Sequence, residues 1–342
     1  MSNKHPAILL VGAGGYGRLY MDYMWKHDIG AELVGICDID PELERHFPEI
    51  AAHHVPVYPS IDAFYRENRA DLAVLVSPVH FHTDMTLACL AHGTNVLCEK
   101  PLDIKSDMLD KMIEVQKKNH VILGGIFQRR NAAVMRILKE KYDSGAFGDI
   151  IFVSAKMDYY RDDEYYKSAA WRGTRELDGG CLMNQCIHGI DSLLYLVGDA
   201  ASVYAKCERR ERNIECEDTA SALIKFKNGA TGIVEATTCV NPGQDTVISV
   251  SGTCGSASVG DGGIYAWDFT DGSACPDVKD GGFGGKNCAW NGTELHEIQI
   301  EDMARAVLDG GAPQICGEDA RRAADLILAM YKSSETGKEK VL

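Results

Sequence analysis

The sequence predicts an α/β chain of two domains: an N-terminal doubly wound parallel sheet, then an α+β domain with a large, mostly antiparallel open-faced sheet. Three observations carry that expectation. The chain has 342 residues, more than the roughly 250–300 at which a single core stops growing. From residue 7 to about 125, short continuous apolar runs alternate with amphipathic stretches, the pattern of strands buried on both faces and joined by crossover helices. Beyond about residue 127 the strand-like runs follow one another directly, and Lys227-Asn228-Gly229 joins two of them with a strong hairpin signal. The expected domains are 1–127 and 128–342.

In order, the first domain offers apolar runs at Ala7–Val11, Leu33–Cys37, Leu72–Val76, Asn95–Cys98 and Val121–Leu123. Between them lie helical patterns at Gly17–His27, Pro41–Phe47, Ile61–Asn68, Thr83–His92 and Ser106–Asn119. The second domain opens with a helix over Ala132–Lys141 and a strand over Ile150–Met157. A polar aromatic segment leads into a helix at Leu182–Val197, and strands follow at Val203–Cys207, Ala220–Phe226, Thr231–Thr238 and Thr246–Ser251. Residues 260–292 are Gly-rich and read as a loop with short strands. Amphipathic helices near Ile298–Leu308 and Glu318–Ser333 close the chain. An antiparallel sheet with one open face must cover it, which predicts a homodimer or homotetramer through that face.

Composition narrows the function classes. With 45% hydrophobic and 25% charged residues the chain matches an average globular protein, and a formal charge of −15 argues against nucleic-acid or anionic-membrane partners. Runs such as Ala7–Val11 fall far short of the roughly 20 residues of a membrane span. A cytoplasmic location is therefore expected. None of the twelve cysteines sits in a C-x-x-C pair, so reduced, packed thiols are expected rather than a disulfide framework.

The apolar run Ala7–Val11 is followed at once by Gly12-Ala13-Gly14-Gly15-Tyr16-Gly17 and a helix. In G-x-G-x-x-G the first glycine permits the tight turn, the second lets backbone approach a pyrophosphate, and the third lets helix and strand pack closely. The helix N-terminus then offers amides and partial positive charge to phosphates. Asp38 ends the second strand at the place where a carboxylate accepts ribose hydroxyls. It would repel a 2′-phosphate, Asp40 adds charge, and no basic residue follows before Arg45. A Rossmann-type domain binding NAD rather than NADP follows, with Gly12, Gly14, Gly15, Tyr16, Gly17 and Asp38 around the cofactor.

Glu99-Lys100-Pro101 closes another apolar run, at the carboxyl edge where doubly wound sheets bind ligands. Alone, Lys100 would read as an ordinary solvated lysine. Behind such a fingerprint, Glu-Lys-Pro resembles the glucose–fructose oxidoreductase / inositol dehydrogenase / rhizopine catabolism (Gfo/Idh/MocA) oxidoreductase family. The resemblance spans nearly the whole chain. Ser77-Pro78-Val79-His80-Phe81-His82 is similar to the family's nicotinamide-side loop. Trp171-Arg172 and Leu177-Asp178-Gly179-Gly180 are similar to the approach to its catalytic helix, and Asn184 to Asp191 to that helix itself. Tyr331 to Lys338 matches the closing segment. The resemblance implies that Ser77, Pro78, His82, Glu99, Lys100, Gln128, Trp171 and Arg172 also lie at the cofactor, and that Lys100 and His188 flank a substrate carbinol. Oxidising an alcohol removes a hydride from carbon and a proton from oxygen, so a base must reach that oxygen. An imidazole suits that task, and an ammonium group orients the hydroxyl and favours its developing charge.

One position departs from the pattern. Many members carry Asp four residues before this histidine, where Asn184 stands; Asn184 can hydrogen-bond substrate or His188 but holds no charge. Cys181 and Cys186 read as packing substitutions. In Asp158–Tyr166, aromatics interleave with charge; Tyr159 could stack on a sugar while Arg161 bonds its hydroxyls, or the segment is a solvated loop. His80, His82, Cys186 and His188 lack the spacing of a zinc site, so no metal is expected. Gly281–Gly285 lacks the frame of a phosphate loop, and Asn291-Gly292-Thr293 matches a glycosylation acceptor by pattern only. The expected activity is NAD-dependent oxidation of a secondary hydroxyl of a sugar, polyol or glycoside. A glycosidase using NAD transiently, or a non-catalytic NAD-responsive regulator, are the alternatives.

Overall fold

Leucine- and valine-rich runs with no polar alternation have to be covered on both faces, and the first sheet is built that way. The computed structural model describes residues 5–26, 30–278, 282–283 and 294–342. The end of the first helical pattern at His27, most of the Gly281–Gly285 stretch and the Asn291-Gly292-Thr293 sequon lie outside them. The chain divides into two compact units: Met1–Ile126 with Thr293–Arg321, and Phe127–Gly292 with Arg322–Leu342.

The first unit runs β1 (Ala7–Val11), α1 (Gly17–Lys26), β2 (Glu32–Cys37), the short α2 (Leu43–His46) and α3 (Glu49–Ala52), β3 (Val57–Tyr58), α4 (Ile61–Glu67), β4 (Leu72–Leu75), α5 (His82–Ala91), β5 (Asn95–Cys98), α6 (Ser106–Asn119) and β6 (Leu123–Gly125). All neighbouring strands pair in parallel, in the order β3-β2-β1-β4-β5-β6. Ile8, Leu10, Ile36, Val74 and Leu97 point into one core with Tyr20 and Met21 of α1. Ile300 and Met303, far along the chain, seal the same core, which is why Thr293–Arg321 groups with this unit and not with the chain flanking it.

The second unit contains α7 (Ala133–Asp143), β7 (Ile150–Asp158), α8 (Asp163–Lys167), a π-helical turn at Cys181–Cys186, α9 (Ile187–Val197), β8 (Ala200–Glu208), β9 (Thr219–Phe226), β10 (Thr231–Thr237), β11 (Thr246–Gly252), β12 (Gly255–Gly260) and β13 (Gly263–Phe269). The helix α10 (Glu294–Asp309) belongs to the first unit, α11 (Gly317–Thr336) begins there and ends in the second, and β14 (Lys340–Val341) is the last strand. The second sheet has the order β13-β12-β11-β7-β10-β9-β8-β14. Only β7 and β10 run parallel; the other pairs are antiparallel. The period-2 pattern of β9 and β10 turns Ala222, Ile224, Val234 and Ala236 inward, and α9 covers that side against β7 and β11. Two expectations change. No strand is expected at Gly255–Gly260, where β12 forms; it makes a hairpin with β13, a short strand of the kind expected in the Gly-rich stretch. The stretch expected as one helix over Leu182–Val197 starts instead as a π turn, which shifts the register of Asn184 against His188. No helix among the described residues is long and apolar enough to cross a membrane.

Candidate active site

In the first unit, three loops leave adjacent strands at their carboxyl ends. After β1, Gly12 takes φ +89°, and a Cβ there would lie 2.9 Å from the Val76 carbonyl oxygen on β4's exit. Where Gly14 and Gly15 would carry Cβ atoms there is open space, and Tyr16 is exposed. The loop thus leads an open backbone into the N-terminus of α1, the frame a pyrophosphate needs. Asp38 braces it: its Oδ2 accepts from Ala13 N at 2.7 Å and its Oδ1 from Asp40 N at 2.9 Å. A carboxylate has about four acceptor sites, so capacity for ribose hydroxyls remains. These residues fit a dinucleotide.

The exits of β4 and β5 carry Ser77-Pro78 and Glu99-Lys100-Pro101. His82, fully buried at the start of α5, stands between them, with Nε2 2.7 Å from Ser77 O and Nδ1 2.8 Å from Pro101 O. Burial pushes its pKa down while the two carbonyls oppose that. Each ring nitrogen faces a backbone carbonyl, so His82 links the two loops. Glu99 accepts from Tyr20 OH at 2.6 Å and from Lys100 N at 3.1 Å. Burial, then the Glu99 charge, push the Tyr20 phenol well up. Tyr20, which no sequence motif marks, fixes Glu99 through its hydroxyl. Lys100 is half-buried.

The second unit carries the other expected residues. His188, 8% exposed, is the second residue of α9 and meets Phe127 edge-on at 5.8 Å. Asn184 lies in the π turn, donates to the buried Asp178 carboxylate and accepts from Gln185 Nε2 at 2.9 Å. Asn184 thus has a carboxyl group as a direct hydrogen-bond neighbour. Glu217 caps the start of this turn: its Oε1 accepts from Leu182 N and from Tyr331 OH, both at 2.9 Å. At Gly180, where φ is +94°, a Cβ would lie 2.1 Å from Glu217 Oε2. Burial pushes the Glu217 carboxyl up to about 7, opposed by the bonds from Leu182 and Tyr331. Gln128 keeps a buried Oε1 without a partner among the described residues, and Arg130 forms a buried two-bond ion pair with Asp191 of α9.

The segment after β7 is partly solvated: Asp162, Asp163 and Glu164 are exposed, while the tyrosines and Arg161 are half-buried. The hydroxyl of Tyr159 bonds Thr246 Oγ1 at 2.5 Å beside Arg129. Tyr165 instead takes the centre of the charged cluster. Arg161 and Arg172 lie over its ring at 5.3 and 4.2 Å, and Arg172 also lies 4.5 Å from the Trp171 ring. Among the described residues no cluster of three or more metal-ligating side chains occurs.

The fold and the fingerprint define a class, a Rossmann-type NAD-binding oxidoreductase. A family profile described as the oxidoreductase family with NAD-binding Rossmann fold matches residues 7–127, and the GFO/IDH/MocA C-terminal domain matches 135–258. The chain belongs to the Gfo/Idh/MocA oxidoreductase family and binds NAD. It is similar to the WlbA dehydrogenase of Bordetella pertussis, solved in complex with NADH and UDP-GlcNAcA (28% identity, 99% of each chain covered, TM-score 0.88). It also resembles myo-inositol 2-dehydrogenase of Thermotoga maritima (24% identical, covering 96% of each chain) and D-apiose dehydrogenase of Rhizobium rhizogenes (23%, covering 96% of this chain and 95% of that one).

Proposed function

We propose that the chain is a dehydrogenase that reversibly oxidises a secondary hydroxyl of a sugar, polyol or glycoside, with His188 as base and Lys100 orienting the hydroxyl. The observation that carries this reading is Lys100 on the carboxyl exit of β5, beside the exit of β4 and one strand from that of β1, with Glu99 fixed by Tyr20. Relatives named for inositol, apiose and a nucleotide sugar support the substrate class. Gly12 to Gly17 and Asp38 would hold NAD, which supplies the hydride acceptor when bound. The Lys100 ammonium donates to the substrate oxygen and favours its negative charge. A ring nitrogen of His188 takes the hydroxyl proton, and the Asn184–Asp178 pair stiffens the turn that leads into α9.

The test is NADH fluorescence across polyols, free sugars, glycosides and sugar nucleotides. A dehydrogenase accumulates NADH in step with product. Aglycone release without net NADH would establish the transient-redox glycosidase instead. Lys100→Ala and His188→Ala should each lower kcat by about 10²–10⁴-fold while NAD affinity stays within a few-fold. Intact biological output from Lys100→Ala would favour a regulator.

A further inference from the structure

We propose that Arg161 and Arg172, set against Tyr165, form a binding site for an anionic group of the substrate, a carboxylate or a phosphoryl group. The inference deepens the dehydrogenase reading and rests on it for the word substrate. Both guanidinium groups are half-buried and approach one ring, at 5.3 and 4.2 Å from its centroid. Holding two like charges beside one ring costs Coulomb energy, which a bound anion offsets.

The chain has 50 acidic residues, and among the described residues three other half-buried or buried arginines take one each, though Arg129 does not: Arg130 pairs with Asp191, Arg321 with Asp110, Arg322 with Asp199. Among the described residues Arg161 and Arg172 pair with none. Arg161 donates Nε to Gln185 Oε1 and Nη1 to Tyr160 O, both at 2.9 Å. Arg172 donates Nε to Ser168 Oγ at 3.0 Å and Nη1 to Tyr165 OH at 2.5 Å. Each guanidinium carries five N–H groups, so about three per side chain are left to donate, enough for the forked bonds arginine makes with carboxylates and phosphates.

The pair is also held in place. Tyr165 OH takes a second bond from Gln185 Nε2 at 2.6 Å, and Gln185 is tied in turn to Arg161 and to Asn184. The arginines are therefore linked through one amide to the turn that leads into α9 and His188. A rigid pair of donors costs little ordering on binding.

The experiment measures binding to the NAD-loaded protein by calorimetry with D-glucuronate, glucose 1-phosphate and D-glucose. At least one anionic probe is expected to bind tenfold or more tightly than glucose, with an affinity that falls as salt rises. The preferred probe identifies carboxylate or phosphoryl as the group read. Arg161→Gln and Arg172→Gln should each weaken that probe by about 10–100-fold, the value of one or more charge-assisted hydrogen bonds. Binding of glucose should weaken less than that of the anionic probe, and Arg172→Lys should recover only part of the loss. Anions binding no more tightly than glucose to the unaltered protein would overturn the proposal, whatever the variants' folding. So would variants that lose glucose and the anionic probe to the same extent. Anion binding with no NADH from any sugar would sink the dehydrogenase reading and leave this site standing. NADH from neutral sugars without anion preference would do the reverse.

Discussion

Individual side chains set the two sharpest expectations. Asp38 faces both the fingerprint loop and the turn to Asp40, so Asp38→Asn keeps one acceptor for the loop while removing the charge that repels a 2′-phosphate. The natural protein should bind NAD more tightly than NADP, and the variant should narrow that ratio by about tenfold, or 1.4 kcal/mol, in paired titrations. Glu217 titrates about 7 in the folded chain, above an ordinary glutamate. The folded state therefore holds its proton more firmly than the unfolded state, and this contribution is present at low pH and lost as pH rises through about 7. Thermal melts at pH 5.5, 7 and 8 should show Tm of the natural protein falling more steeply than that of Glu217→Gln. Asp38 was legible because a strand end and a glycine turn are local features. Glu217 was not: its partners Leu182 and Tyr331 lie 35 and 114 residues away, and nothing in the spacing joins them.

Strands and helices were legible where one periodicity ran unbroken, as in the alternating burial of β9 and β10. The π turn at Cys181–Cys186 escaped because its apolar residues also suit an α-helix; a widened turn is fixed by contacts such as Glu217 on Leu182 N. The strand β12 escaped because glycines at Gly255 and Gly260 blur the period of two. At this scale the Arg130–Asp191 pair is decisive, for it ties the segment Gln128–Asn131 to α9, with both side chains under 5% exposed. Removing one partner strands a buried charge. Asp191→Ala should cost about 3–5 kcal/mol in urea denaturation, whereas Arg45→Ala, on a solvated pair with Glu42, should cost under about 1 kcal/mol.

Across the molecule, one face of the second sheet carries exposed apolar side chains. Tyr204, Leu223 and Ile233 stand in register on β8, β9 and β10, each at least 40% exposed. Ser154 and Ser249 continue the row on β7 and β11. Apolar side chains in a flat row beside small hydroxyls suit a second copy of the chain. Light scattering should report a dimer or tetramer at micromolar concentration, and Leu223→Glu with Ile233→Glu should shift it toward lower mass; a monomeric natural protein would count against this. Ile300 and Met303, sealing the first unit's core from beyond residue 290, have another consequence. A gene fragment ending at Ile126 would encode every strand of the parallel sheet yet omit the plug that closes it, so the nucleotide-binding half cannot be excised with a single cut.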